Sequence, residues 1–164
     1  MIRQLCFVSI IITLLLAAGC SKDERDPCLE PRTAMLRAHA YHHADTGTGI
    51  IDTLLPNPVL RPLTGGVVQY FFGGVKRVSQ LSFSLSNLAD SSAWVVRPDS
   101  AIDVEDTLVF YYDRQLRFLS NACGYTNFYN MRQVATTRHA LDSVIIAHSD
   151  VTADANVVHL KFYY

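Results

Sequence analysis

From Leu81 to Ser86 the chain alternates apolar and polar residues without interruption. Successive side chains leave a strand on opposite faces, so Leu81, Phe83 and Leu85 point one way and three serines the other. Leu108-Val109-Phe110-Tyr111-Tyr112 is β-branched and aromatic, dense enough for a central strand, and Val144-Ile145-Ile146 is similar. The last residues alternate again, with Val158, Leu160 and Phe162 on one face and His159 and Lys161 on the other. No window keeps the i, i+3, i+4, i+7 spacing over a helical length. Leu55-Pro56-Asn57-Pro58 excludes a helix or central strand, because each proline lacks an N–H and restricts the residue before it. Thr64-Gly65-Gly66, Phe72-Gly73-Gly74 and Arg97-Pro98-Asp99-Ser100 add turn signals. The pattern predicts strands over 34–43, 50–54, 67–72, 77–86, 92–97, 107–112, 115–121, 124–134, 142–149 and 156–163. Short strands at such spacing define an all-β chain, an antiparallel β-sandwich of immunoglobulin-like or related type over residues 34–164.

The start of the chain follows a different rule. Arg3 precedes an apolar run from Leu5 to Gly19, and the next charge is Lys22. A spanning helix needs ~20 apolar residues, so this shorter run fits a signal peptide over residues 1–19. It closes in Leu16-Ala17-Ala18-Gly19-Cys20, which resembles the lipobox of bacterial lipoproteins. That resemblance implies diacylation of Cys20, which becomes the mature N-terminus. A single acyl chain holds only marginally, so a stable anchor implies several. Residues 20–33 then read as a charged tether. Within it, Lys22-Asp23-Glu24 resembles the export signal of Bacteroidetes lipoproteins, which implies display at the cell surface ahead of the periplasmic face of the outer membrane.

Composition removes two classes. Of 164 residues 49% are hydrophobic and 18% charged, which excludes an intrinsically disordered chain. The 14 Lys and Arg are matched by 15 Asp and Glu, which argues against a basic nucleic-acid binder. The length accommodates one domain. Of four cysteines, Cys6 leaves with the signal and Cys20 carries lipid, leaving Cys28 and Cys123. In an oxidising compartment the two read as one disulfide, with free thiols as the alternative. Neither sits in a C-x-x-C pair or beside a histidine at zinc-ligand spacing.

The second half carries a recognisable set of elements: Leu88-Ala89-Asp90-Ser91-Ser92-Ala93-Trp94, Asp106-Thr107-Leu108-Val109-Phe110-Tyr111-Tyr112, Asn121-Ala122-Cys123-Gly124-Tyr125, Leu141-Asp142-Ser143-Val144 and the closing His159-Leu160-Lys161-Phe162-Tyr163. With Cys28-Leu29-Glu30-Pro31 near the start, these resemble the DUF6452 family, small Bacteroidetes lipoproteins of unknown function. The resemblance implies a location and a fold but no reaction.

The candidate chemistry is thin. His39 and His43 share a face of a predicted strand, with His42 opposite and Asp45 nearby, and form a weak metal candidate. His39 and His43 are more simply an exposed polar strand end, and no cofactor is expected. His139, Asp142 and Ser143 contain the ingredients of a triad, but adjacent strand residues face opposite ways and no G-x-S-x-G elbow presents the serine. The paired glycines lack the Lys-Ser/Thr of a phosphate-binding loop. Among 8 Tyr, 8 Phe and 1 Trp, most are core, while Trp94, Tyr111, Tyr129, Tyr163 and Tyr164 are not all expected to fit inside. The reading is a non-enzymatic envelope module that contacts another protein, an outer-membrane β-barrel first among candidates. A glycan-binding surface built on exposed aromatics is the alternative.

Overall fold

The computed structural model describes residues 27–43, 49–63 and 77–164. Ten strands form within them: β1 (Met35–His43), β2 (Ile50–Asp52), β3 (Val59–Pro62), β4 (Gln80–Ser84), β5 (Ser91–Arg97), β6 (Asp106–Ser120), β7 (Gly124–Thr136), β8 (Ser143–Ile146), β9 (Asp150–Val151) and β10 (Leu160–Tyr163). One sheet runs β2-β1-β10-β8, with β4 also paired to β1, and the second runs β3-β5-β6-β7-β9. The strand pairs are antiparallel except β1 and β10, which run parallel with Ala38 opposite Leu160. The fold is an all-β sandwich.

Alternation places the core between the sheets. Leu36, Ala38 and Ala40 of β1, Leu81 and Phe83 of β4, and Leu160 and Phe162 of β10 meet Trp94, Leu108, Phe110 and Tyr112 of the second sheet. Phe83 joins the layers: its ring centroid lies 5.6 Å from Trp94, 5.2 Å from Phe110 and 6.0 Å from Phe162. Edge-on ring pairs of this kind contribute ~0.5–1.5 kcal/mol beyond area burial.

The structure departs from the predicted strands in four places. The segments 107–112 and 115–121 are one strand, β6, because Asp113, Arg114 and Gln115 continue the ladder to β7 rather than turning. β3 follows the double proline directly. It lies at a sheet edge, where Pro62 opposite Trp94 costs no interior ladder bond. The stretch from 142 to 149 forms the shorter β8, and β9 is a separate short strand against β7. His159 does not share an outer face with Lys161. It precedes β10 and is fully buried. The predicted strand 67–72 lies outside the described residues.

β6 and β7 stay paired from Leu108↔Thr136 to Ser120↔Gly124, with a register shift between Tyr111 and Tyr112. Their outer halves project as an arm, since Asp113 through Phe118 are exposed on both faces of β6. Gly124 carries φ 71° where the arm's turn closes, a conformation glycine adopts without a Cβ penalty. Cys123 in that turn is bonded to Cys28, so the N-terminal segment is stapled to the arm's tip. Below the staple, Thr126 Oγ1 donates a hydrogen bond to the Arg32 carbonyl at 2.6 Å. The sandwich therefore has a stapled end and a free end.

Candidate functional site: an apolar groove at the free end

β5 ends and β6 begins at the free end, where residues 98–105 connect them. Pro56 and Pro98 stiffen two neighbouring loops, and the Asn57 carbonyl accepts from the Ser100 N–H at 2.9 Å to hold them together. Between them opens a groove of 250 Å³ lined by Pro56, Pro98, Asp99, Ile102, Val104, Ala140 and Tyr164. Ile102 is 56% exposed and Leu54, near the rim, 48%. The Tyr164 hydroxyl donates to the Leu54 carbonyl at 3.1 Å and fixes one wall. Beside the groove lies a charge network: Glu105 contacts Arg61 at 2.9 Å and Arg97 at 3.1 Å, and Arg97 reaches Asp103 at 2.9 Å. Partial burial works to raise the Glu105 carboxyl, and the guanidinium groups of Arg97 and Arg61 outweigh it and hold it below its ordinary value. Apolar residues bordered by charged and polar ones make the composition of a protein contact surface.

The floor of this end is set by Asp106, which is fully buried. Its Oδ1 accepts from the Thr137 hydroxyl at 2.7 Å and the His139 N–H at 2.6 Å. Its Oδ2 accepts from the Ala140 N–H at 2.8 Å and the Leu141 N–H at 2.7 Å. Burial alone would raise its pKa, but these four donors outweigh it and hold the carboxyl below its ordinary value. Arg138 adopts φ 57° within the loop so organised. Asp106 thus places Ala140 in the groove wall. Sequence reasoning missed it, because an isolated aspartate before a strand carries no mark of burial.

Two other shifted groups also act on the fold. Burial raises the Tyr112 phenol, whose oxygen lies 2.7 Å from Ser92 Oγ and accepts from the Ser86 N–H at 2.8 Å. His159 is held by β1: its ring Nδ1 accepts from the Arg37 backbone N–H at 3.0 Å, while its backbone N–H donates to the Arg37 carbonyl at 2.9 Å. Burial first, then the nearby Arg37 charge, push its pKa from 6.5 down to about 4, and the Asp150 backbone acts the other way too weakly to offset them. Below pH 6.5 the unfolded imidazole takes up a proton that the folded one refuses. Stability therefore falls as pH drops from about 6.5 toward 4 and changes no further through this group below that. The expected loss by pH 5 is roughly 2 kcal/mol. His159→Asn keeps an acceptor for the Arg37 N–H without titrating, so urea unfolding at pH 7 and pH 5 should show a smaller difference for the variant. An equal difference would place the acid sensitivity elsewhere.

The residues singled out in the sequence fall as follows. His39 and His43 do lie on one face of β1, but four residues of strand separate them by ~13 Å, too far to share one ion. His39 sits 5.0 Å from the Tyr41 ring and His43 stacks on Tyr163 at 5.3 Å. Among the described residues no group of three or more His, Cys, Asp or Glu is arranged to hold a metal. Asp45 lies outside them. His139 faces Asp106 rather than Asp142, and the Asp142 N–H donates to the Tyr163 carbonyl at 2.8 Å. No hydrogen bond joins His139, Asp142 and Ser143. Of the five aromatics not all expected inside, Trp94, Tyr129 and Tyr163 are buried, Tyr164 is half-buried and Tyr111 is exposed. The exposed pair Phe118 and Tyr125 meets at 58°, so the two rings do not form one coplanar platform. Cys28 and Cys123 form the disulfide expected of them. Cys20 lies outside the described residues, and among these no helix is long and apolar enough to cross a membrane.

Fold and site together define a stapled β-sandwich whose free end carries an apolar groove. A family model described as a family of unknown function, DUF6452, matches residues 69–164, and the chain belongs to that family. No curated protein and no solved structure matches the chain.

Proposed function

We propose that this protein is a lipid-anchored, non-enzymatic module of the outer membrane, displayed at the cell surface, that works by contact with another envelope protein. The apolar groove at the end opposite the Cys28–Cys123 staple carries the reading, because an anchor at Cys20 leaves that end free to meet a partner. A neighbouring outer-membrane β-barrel is the partner that location favours. The assignment as a non-enzyme rests on what the perturbed groups do: Asp106, Tyr112 and His159 spend their hydrogen bonds on backbone groups and hydroxyls that hold the fold.

Crosslinking intact cells, followed by capture from detergent-solubilised membranes, tests the groove. Wild type should bring down a second envelope protein. Ile102→Asp, which sets a carboxylate on an exposed apolar wall, should reduce the yield at least tenfold, the counterpart of ~1.4 kcal/mol. Recovery of the wild-type protein alone would remove the partner. Equal yields from both would remove the groove as its site.

A further inference from the structure

The stapled end has its own surface. Leu116 is 66% exposed, Tyr125 63%, Phe118 54%, and Leu29, directly after the staple, 88%. Phe118 and Tyr125 are cross-strand partners whose ring centroids lie 5.2 Å apart. Arginines alternate with them. Arg117 sits between Leu116 and Phe118, its guanidinium reaching Gln115 at 3.3 Å rather than a carboxylate, while Arg114 pairs with Asp90. Leu116 and Tyr125 border a hollow shared with residues 32–35 and with Ser84 and Leu85, and Phe118 one shared with Phe128 and Thr152, yet all three side chains remain more than half exposed. Large apolar groups beside arginine are what the boundary between lipid headgroups and acyl chains accepts. Aromatic rings sit there with apolar bodies in and polar tips out, and arginine stems lie along apolar surface with the charge kept in water.

Chain length names the occupant. Cys28 follows Cys20 by eight residues, and eight residues reach at most ~28 Å even fully extended. The staple passes that limit on to Cys123 and the arm. We infer that the arm's tip, with Leu116, Phe118 and Tyr125, docks into the surface of the bilayer that holds the Cys20 lipid, turning the free-end groove away from the membrane. This inference rests on the lipid anchor proposed above and adds an orientation to it. A docked tip gives the molecule a second membrane contact, which makes its presentation of the groove fixed rather than freely swivelling.

The test uses the full-length lipidated chain in vesicles of phosphatidylethanolamine and phosphatidylglycerol, with and without brominated acyl chains. Leu116→Trp reports on the tip, Phe118→Trp serves as a second reporter should the first variant fail to fold, and Ile102→Trp reports on the free end. The native Trp94 is 2% exposed and supplies a constant background. Floating vesicles that carry the protein, with the tip signal quenched at least twofold and the Ile102→Trp signal unchanged, are the expected result. Protein that floats but whose tip reporters are not quenched, or are quenched no more than Ile102→Trp, overturns the docking and leaves the anchor in place. Protein that does not float overturns the anchor and the docking with it.

Discussion

Replacing Cys28 and Cys123 by serine should lower the unfolding free energy by roughly 4 kcal/mol, one of the two largest effects expected in this molecule. The bond closes a loop of sequence separation 95, and constraining a loop of that size removes chain entropy worth about 4.7 kcal/mol in the simplest treatment. Native disulfides of small exported domains return about 2–5 kcal/mol when removed. The contribution is concentrated where packing is least. The β6 side of the arm's outer half is exposed on both faces from Asp113 to Phe118, so on that strand few apolar contacts replace the staple. Denaturant unfolding of the double serine variant should show the loss. Limited trypsin digestion should cut it first at Arg117 or Arg114. A loss below about 1 kcal/mol would mean that the unfolded chain is already compact enough for the crosslink to change little.

Asp106→Ala should cost about 3–5 kcal/mol. The alanine leaves the N–H groups of His139, Ala140 and Leu141 and the Thr137 hydroxyl without their acceptor, the Leu141 bond buried and the other three part-buried. Each buried donor so abandoned costs about 1–3 kcal/mol, reduced where the loop relaxes toward water. Asp106→Asn is the sharper variant. Its carbonyl can serve the Ala140 and Leu141 N–H groups, while its amide then faces the Thr137 hydroxyl, which can turn to accept, and the His139 N–H, which cannot, so a loss of about 1–3 kcal/mol should remain despite an unchanged shape. Because the folded carboxyl titrates below its ordinary value, its contribution is present above the unfolded pKa of 3.8 and is lost as pH falls through the depressed folded value. That window lies below the one set by His159, so the two groups separate along a pH series. If Asp106→Asn unfolds at the wild-type denaturant concentration, the carboxylate does not organise this loop.

What was legible in the sequence was whatever the period of two controls. Leu81, Phe83 and Leu85 turn inward as their alternation requires, and Leu160 and Phe162 follow the same rule. The rule fails where its premise fails. Asp113, Arg114 and Gln115 resemble a turn because they break the apolar series, yet they belong to an arm with water on both sides, where a strand has no inward face to mark. The brief β3 hides behind two prolines because an edge strand tolerates what a central one does not. His159 was assigned by counting along β10, but the strand begins one residue later, and the ring turns in to meet the Arg37 backbone from β1, across 122 positions. Such a partner has no local signature. The same holds for Asp106, whose four donors come from 31 to 35 residues downstream. The groove is hidden for a related reason, since Pro56, Ile102, Ala140 and Tyr164 come from four separate segments that only the two-sheet topology assembles. The Cys28–Cys123 bond, by contrast, is the pairing that two cysteines in the body of the chain suggest without any knowledge of the fold.

Intact-mass and peptide mass spectrometry of the natively expressed, membrane-extracted protein reads the anchor and the staple together. The expected result is a chain that starts at Cys20 with acyl groups on it, and a peptide pair joined through Cys28 and Cys123. A chain that keeps residues 1–19, carries an unmodified Cys20 or yields free thiols at Cys28 and Cys123 would contradict it.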